Sequence, residues 1–198
     1  MFDYTDGLGG RLPLADPPNL SDAQRQLFDS MTSTVVPWAD DTGFHSTTRD
    51  GRFIGPFNPA LLNPAVTSAS FDLVMGERES TSLSARTREV VILTVGAVWR
   101  SDYELYAHSA AARHVGISDD AIRVLVSGGI PDDLSESEKI AAELTRQLSI
   151  HHRVDETLYL QAESHFGTKG LTDIAILVGI YHTVCITLNL FDIPAPHE

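Results

Sequence analysis

Ser84-Ala85-Arg86-Thr87-Arg88-Glu89-Val90-Val91-Ile92-Leu93, with the residues that follow as far as Arg100, is the stretch whose reading decides the fold. A Ser opens it, and a Ser hydroxyl can accept from the orphan backbone N–H groups of a helix start. Glu89, Leu93, Ala97 and Arg100 then recur at the three-to-four spacing of one helical face. Similar start signals recur on both sides. Ser21-Asp22-Ala23-Gln24, Ser101-Asp102-Tyr103-Glu104 and Ser135-Glu136-Ser137-Glu138 each fit the capping box. Asn63 before Pro64, Ser118 and Asp155 add further starts, while Gly76, Gly116, Gly128-Gly129 and Gly167 supply stops. The expectation is an all-α chain of about eight helices near 21–34, 64–76, 84–99, 102–115, 118–127, 135–150, 155–166 and 171–190. Strand-type alternation bounded by hairpin turns is not evident.

The 198 residues, 42% hydrophobic and 21% charged, suffice for one substantial core. A formal charge of −13, from 27 acids against 14 Lys and Arg, leaves no basic footprint for a phosphate backbone or an anionic membrane. Nucleic-acid and membrane partners are therefore not expected. Met1 to Asp6 is acidic with no apolar run behind basic residues, which reads as a cytoplasmic protein without a targeting signal. Cys185 is the single cysteine, so neither an intrachain disulfide nor a CxxC pair can form, and its apolar neighbours read as a buried position. Ile174 to Phe191 is apolar enough to raise a membrane span. Gly179, His182, Thr183, Thr187 and Asn189 interrupt it, and a central helix buried on all sides, with a second subunit able to supply part of the cover, accounts for it better. Val36 to Pro59, rich in Gly, Pro, Asp and Thr, reads as an irregular segment, either a pocket wall or a packing loop.

Two successive helices gather the candidate chemistry. Glu104 and His108, four residues apart, project from one face and can touch. Glu89 shares a stripe with apolar residues, and a carboxylate there needs a partner because an unpaired buried charge is costly. Antiparallel packing of the helices brings His108 beside Glu89, making an acid, a base and an orienting carboxylate in a low-dielectric pocket. Other readings remain open at this point. Glu104 can be the acid of the Ser101 capping box, His108 a satisfied core histidine, and Glu89 the partner of Arg86 or Arg113. Arg88 and Arg100 can be solvated. His182, beside Tyr181, is either a pocket-lining donor or a core histidine bonded to a carbonyl. His45, His114, His151, His152, His165 and His197 share no spacing with acids and read as surface or loop residues. Two carboxylates and one imidazole could hold a divalent ion, but no metal motif is present, and no metal is expected. Ser101 and Ser109 lack a nucleophile elbow.

Ser84 to Leu93, Tyr103-Glu104-Leu105-Tyr106-Ala107-His108 and Ala112-Arg113-His114-Val115-Gly116-Ile117-Ser118 resemble the core of the carboxymuconolactone decarboxylase family. Leu171-Thr172-Asp173 to Phe191 is similar to that family's last helix. The resemblance covers roughly residues 50 to 194 and implies the alkylhydroperoxidase D-like helical fold, assembled as a homotrimer or homohexamer. It divides the chain into an extension over 1–50, with one helix and an irregular loop, and a family domain over 51–198. The redox branch of the superfamily carries a Glu, a CxxC pair and a His. Glu89 and His108 match the Glu and His, while Ser101 and Glu104 stand where the cysteines would be, so thiol peroxidase chemistry is not expected. The resemblance implies a cofactor-free lyase that decarboxylates a small carboxylated lactone or oxo-acid, with a hydrolase, isomerase or cyclase on a related lactone or enol, or a non-catalytic ligand- or metal-binding member, as alternatives. Its expected catalytic residues are His108 as proton donor, Glu104 as partner or alternate acid, and Glu89 as orienting group. Arg86 or Arg100 would clamp a substrate carboxylate, His182 would donate to the lactone oxygen, and Tyr103 would line the substrate site.

Overall fold

The computed structural model describes residues 7–196, so the acidic start Met1 to Asp6 and His197 lie outside the described residues. Among them are eight α-helices: α1 (Asp22–Thr42), α2 (Phe57–Ala60), α3 (Pro64–Ser80), α4 (Ala85–Trp99), α5 (Asp102–His114), α6 (Asp119–Val126), α7 (Glu136–His151) and α8 (Glu156–Leu190). The only extended pairing among the described residues is an isolated bridge between Thr47 and Phe53. The fold is all-α.

Capping chemistry sets most of the starts. Ser21 and Ser135 form complete capping boxes with Gln24 and Glu138, and Ser84, Ser118 and Asp155 accept from the backbone N–H groups of Thr87, Ala121 and Leu158. Each such cap stabilises its helix by about 1 kcal/mol.

Helix α4 is the axle. Val90 to Leu93 are fully enclosed, and α5, α6, α7 and α8 all pack around it. One face of α4 joins α7 and α8 through Val91, Ile92, Val95, Ile140, Leu144, Ile174 and Leu177. Another meets α5 and α6 through Val90, Leu93, Ala112, Ile122 and Leu125. A third cluster packs Leu27, Met31, Val35 and Ala39 of α1 against Phe53, Ile54, Tyr103, Ala107 and Leu188, which ties the first fifty residues to α5 and the end of α8.

Several expectations need correction. The first helix runs on to Thr42 with Pro37 inside it, because Ala39 is fully buried and Trp38 packs edge-on against Phe44 at 4.9 Å. That packing outweighs the hydrogen bond that a proline cannot make, and Gly43, at φ 91°, ends the helix instead. The irregular segment is accordingly shorter. It is a packing loop, with Phe44, Phe53 and Ile54 in the core, and Tyr103 donates its hydroxyl to the His45 carbonyl at 2.7 Å. Gly55 (φ 62°) lets the loop lie on that ring, since a Cβ there would sit 2.2 Å from Tyr103. Helix α3 passes through Gly76 to Ser80. Gly167, at φ 62° and ψ 177°, does break the last helix as expected, but the two halves run on as one element. Within the chain α8 is covered on one side: Ile174, Leu177 and Cys185 face the core, whereas Ile176, Ile186 and Leu190 are exposed.

Candidate active site

Glu89 sits one turn into α4 and His108 two turns into α5, and the packing of these helices sets the two side chains against each other. His108 Nδ1 and Glu89 Oε2 are 2.8 Å apart, with both residues buried. On the opposite side of the ring, His108 Nε2 lies 3.3 Å from Glu104 Oε1. The second contact is a charge contact out of hydrogen-bonding alignment, and it leaves Glu104 Oε1 without a hydrogen-bond partner. One imidazole is thus held between two carboxylates.

Glu104 does not cap α5, for a reason local to the α4–α5 turn. Arg100 adopts the left-handed conformation (φ 51°, ψ 47°), its N–H bonds to the Ala97 carbonyl, and the Ser101 N–H bonds to the Gly96 carbonyl. This Schellman-type closure of α4 consumes the N–H that a capping box needs. The Ser101 side chain makes no cap for α5. It lies beside Cys185, whose thiol is held well above its ordinary range by burial and by the nearby Glu104 charge. Such a thiol is a poor nucleophile.

The trio's electrostatics follow from its enclosure. Burial pushes the Glu104 carboxyl up, His108 opposes the shift and Glu89 reinforces it, and the result is about 7. Burial alone disfavours the His108 imidazolium. The charges of Glu89 and Glu104 together outweigh that effect and raise His108 above its usual value. The centre therefore sets an imidazole whose protonated form the two carboxylates favour beside a Glu104 carboxyl that titrates at about 7. Glu104 Oε1 is buried there without a hydrogen-bond partner.

Three residues near the trio escaped the sequence reading. Arg88 is largely buried and forms a forked ion pair with Glu77, Arg88 Nε to Glu77 Oε1 being 3.1 Å. Its charge also acts on Glu89, Tyr181 and His108. The Tyr181 ring stands edge-on to His108, 5.0 Å between centroids and 89° between planes. Burial, with the charges of Glu104 and Glu89, holds its hydroxyl well above the ordinary range. Trp38 of α1 closes another side, 6.2 Å from the His108 ring, and Arg78 of α3 stacks over Trp38 at 5.5 Å.

The remaining expected site residues lie apart. Arg86 is engaged by Glu138 at 2.8 Å and by the Gly116 carbonyl. Arg113 pairs with Asp119, so neither serves Glu89. Arg100 is exposed at its turn and borders a cavity of about 310 Å³ with Thr94, Leu125, Gly128 and Arg146, which none of the trio lines. Tyr103 is buried under the 43–56 loop. His182 faces Ser149 Oγ at 2.9 Å and stands edge-on to Trp99; burial lowers its pKa. Arg88 is not solvated. Among the described residues no group of three His, Cys, Asp or Glu converges on a point where an ion could sit, since Glu89 and Glu104 approach opposite nitrogens of one ring.

The Carboxymuconolactone decarboxylase family model matches residues 64–147, a span that contains the trio, Arg88 and Glu77. No curated protein matches the sequence. An uncharacterised peroxidase-related protein from Ralstonia eutropha, described as an alkylhydroperoxidase AhpD core, superposes with a TM-score of 0.72 at 16% identity over 93% of this chain and 91% of its own. A peroxidase-related protein from Silicibacter gives a TM-score of 0.65 at 20% identity over 94% and 92%. A protein of unknown function from Agrobacterium tumefaciens, described as a putative antioxidant defence protein AhpD, gives 0.65 at 17% identity over 71% and 97%.

Proposed function

We propose, from the match of residues 64–147 to the carboxymuconolactone decarboxylase family model and from the AhpD-like fold, that the chain is a cofactor-independent enzyme performing acid/base chemistry on a small organic acid or lactone, most concretely the decarboxylation of a carboxylated lactone. The observation that carries this reading is the buried imidazole held between two carboxylates.

The chemistry requires little else. Heterolysis of the bond to the carboxylate releases carbon dioxide and leaves its electron pair on the conjugated lactone as an enolate. One proton must then reach carbon. His108 delivers it, Glu89 holds the ring through Nδ1 and stabilises the imidazolium, and Glu104 returns the proton or gives it directly. Arg88, whose charge acts on His108, is the cation this reading uses to compensate the substrate's negative charge.

Thiol peroxidase chemistry is disfavoured by the same residues. Ser101 and Glu104 occupy the cysteine positions of the redox branch, and Cys185 is buried with its thiol pKa raised. The reading also has the chain acting in the cytoplasm and assembling with copies of itself, a use for the apolar residues Ile176, Ile186 and Leu190 that α8 leaves exposed.

The test is incubation of the purified protein with 4-carboxymuconolactone, following carbon dioxide and lactone absorbance. Release of carbon dioxide supports decarboxylation. Turnover of a related lactone without carbon dioxide moves the reaction to hydrolysis or isomerisation, and inertness toward all such lactones rejects the catalytic reading.

A further inference from the structure

Helix α3 has one buried residue, Glu77, while Leu73 and Met75 just before it are exposed. An amphipathic helix docked by its apolar face would show the reverse. What it inserts toward the trio is a carboxylate, met by the Arg88 fork, with the Arg88 and Glu77 side chains only 12% and 3% exposed. Arg78, the next residue, stacks over Trp38, which borders His108. Through Glu77 and Arg78, α3 covers one side of the site.

The local charges show what this arrangement accomplishes. The charged groups here are Glu77, Glu89 and Glu104 with Arg88, His108 and, over Trp38, Arg78, and Glu77 already fills the Arg88 fork. Arg88 is the fixed cation of the set, and its planar fork matches a carboxylate in two parallel hydrogen bonds. A substrate anion can take that fork only if Glu77 gives it up.

We propose that Arg88 is the carboxylate-binding residue of the site, that Glu77 occupies its fork in the empty protein as an internal mimic of the substrate, and that a bound carboxylate displaces Glu77 and loosens α3. The inference rests on the trio being the site for an organic acid. It concerns recognition rather than the reaction.

The probe is adipate, a stable dicarboxylate, titrated calorimetrically into the full-length protein, with neutral dimethyl adipate as control. Glu77→Gln keeps the side-chain shape but removes the competing charge. It should bind adipate at least roughly tenfold more tightly than wild type, as expected when a closed, non-binding state is removed. Arg88→Lys keeps a charge but loses the fork and should weaken adipate at least tenfold, with dimethyl adipate silent throughout. Hydrogen exchange supplies a second reading: adipate should increase exchange over residues 64–80 in wild type, and Glu77→Gln should start high there. Helical circular dichroism confirms that each variant is folded.

Unchanged or weaker adipate binding by Glu77→Gln, unchanged binding by Arg88→Lys, or no binding by either wild type or Glu77→Gln overturns the proposal. The two readings also separate. The adipate pattern without carbon dioxide release from 4-carboxymuconolactone sustains the subsite and rejects the reaction, while carbon dioxide release without the pattern does the opposite.

Discussion

Glu104→Gln replaces a buried carboxyl with an amide of the same shape, and its consequence for stability can be worked out in advance. In the folded protein the Glu104 carboxyl is pushed by burial from its ordinary 4.5 up to about 7. The unfolded chain ionises it near the lower value, so between the two the folded state holds more protons. Linkage then makes stability fall as pH rises through that window. The difference between 4.5 and about 7, at about 1.36 kcal/mol per tenfold change in proton affinity, amounts to roughly 3 kcal/mol. For a chain of this size each kcal/mol moves Tm by about 2–4 °C, so ionising Glu104 lowers it by roughly 6–12 °C. His108 acts in the same sense. Its raised pKa contributes stability that is fully present below 6.5 and is lost as pH rises through the higher folded value. The variant removes the Glu104 component and keeps the Glu89 share of the histidine component. Thermal melts followed by circular dichroism should give nearly equal Tm values for variant and wild type at about pH 5, and a fall toward about pH 8.5 that is shallower in the variant by up to the amount above. An equally steep fall in the variant, or a uniform loss of stability at every pH, would refute the account of Glu104 as a buried acid titrating near neutrality.

Other outcomes follow from single contacts. Gly55→Ala forces a Cβ into the Tyr103 ring at a left-handed backbone position, and should cost about 2–4 kcal/mol in urea unfolding through overpacking and backbone strain. Arg100→Gly relieves a non-glycine residue of its left-handed conformation and should stabilise the chain by roughly 1 kcal/mol in the same assay; destabilisation would show that the arginine side chain contributes more than its backbone costs. Ile186→Glu places a charge on the exposed face of α8, and sedimentation should show smaller assemblies than wild type if that face joins copies of the chain. An unchanged sedimentation profile would remove α8 from the interface.

Much of the architecture was legible because helix starts are encoded locally. Ser21, Ser84, Ser118, Ser135 and Asp155 each cap the helix that their spacing announced. The errors came where tertiary contacts overrule a local signal. Pro37 reads as a breaker, but the burial of Ala39 and the Trp38–Phe44 contact carry α1 past it. Ser101 and Glu104 read as a capping box, but the closure of α4 had already claimed the Ser101 N–H. Glu89 and His108 could be singled out as candidates because each interrupts an apolar stripe, and the fold sets them against each other. Arg88 and Tyr181 could not. Arg86 and Arg88 are two positions apart on α4, and nothing local says which turns inward. Tyr181 and His182 are neighbours in an almost unbroken apolar run, where periodicity assigns no facing. The partner that fixes Arg88, Glu77, lies on another helix whose pattern looks solvated.

The central claim is that His108 supplies the proton to carbon from a pocket with no thiol chemistry. It is tested most directly by single-turnover carbon dioxide release from 4-carboxymuconolactone, comparing wild type, His108→Gln and Cys185→Ser. The account predicts release by wild type and Cys185→Ser alike, and a loss of about 10²–10⁴-fold in His108→Gln. Release that survives in His108→Gln, or that disappears with Cys185→Ser while the fold is intact, would contradict it.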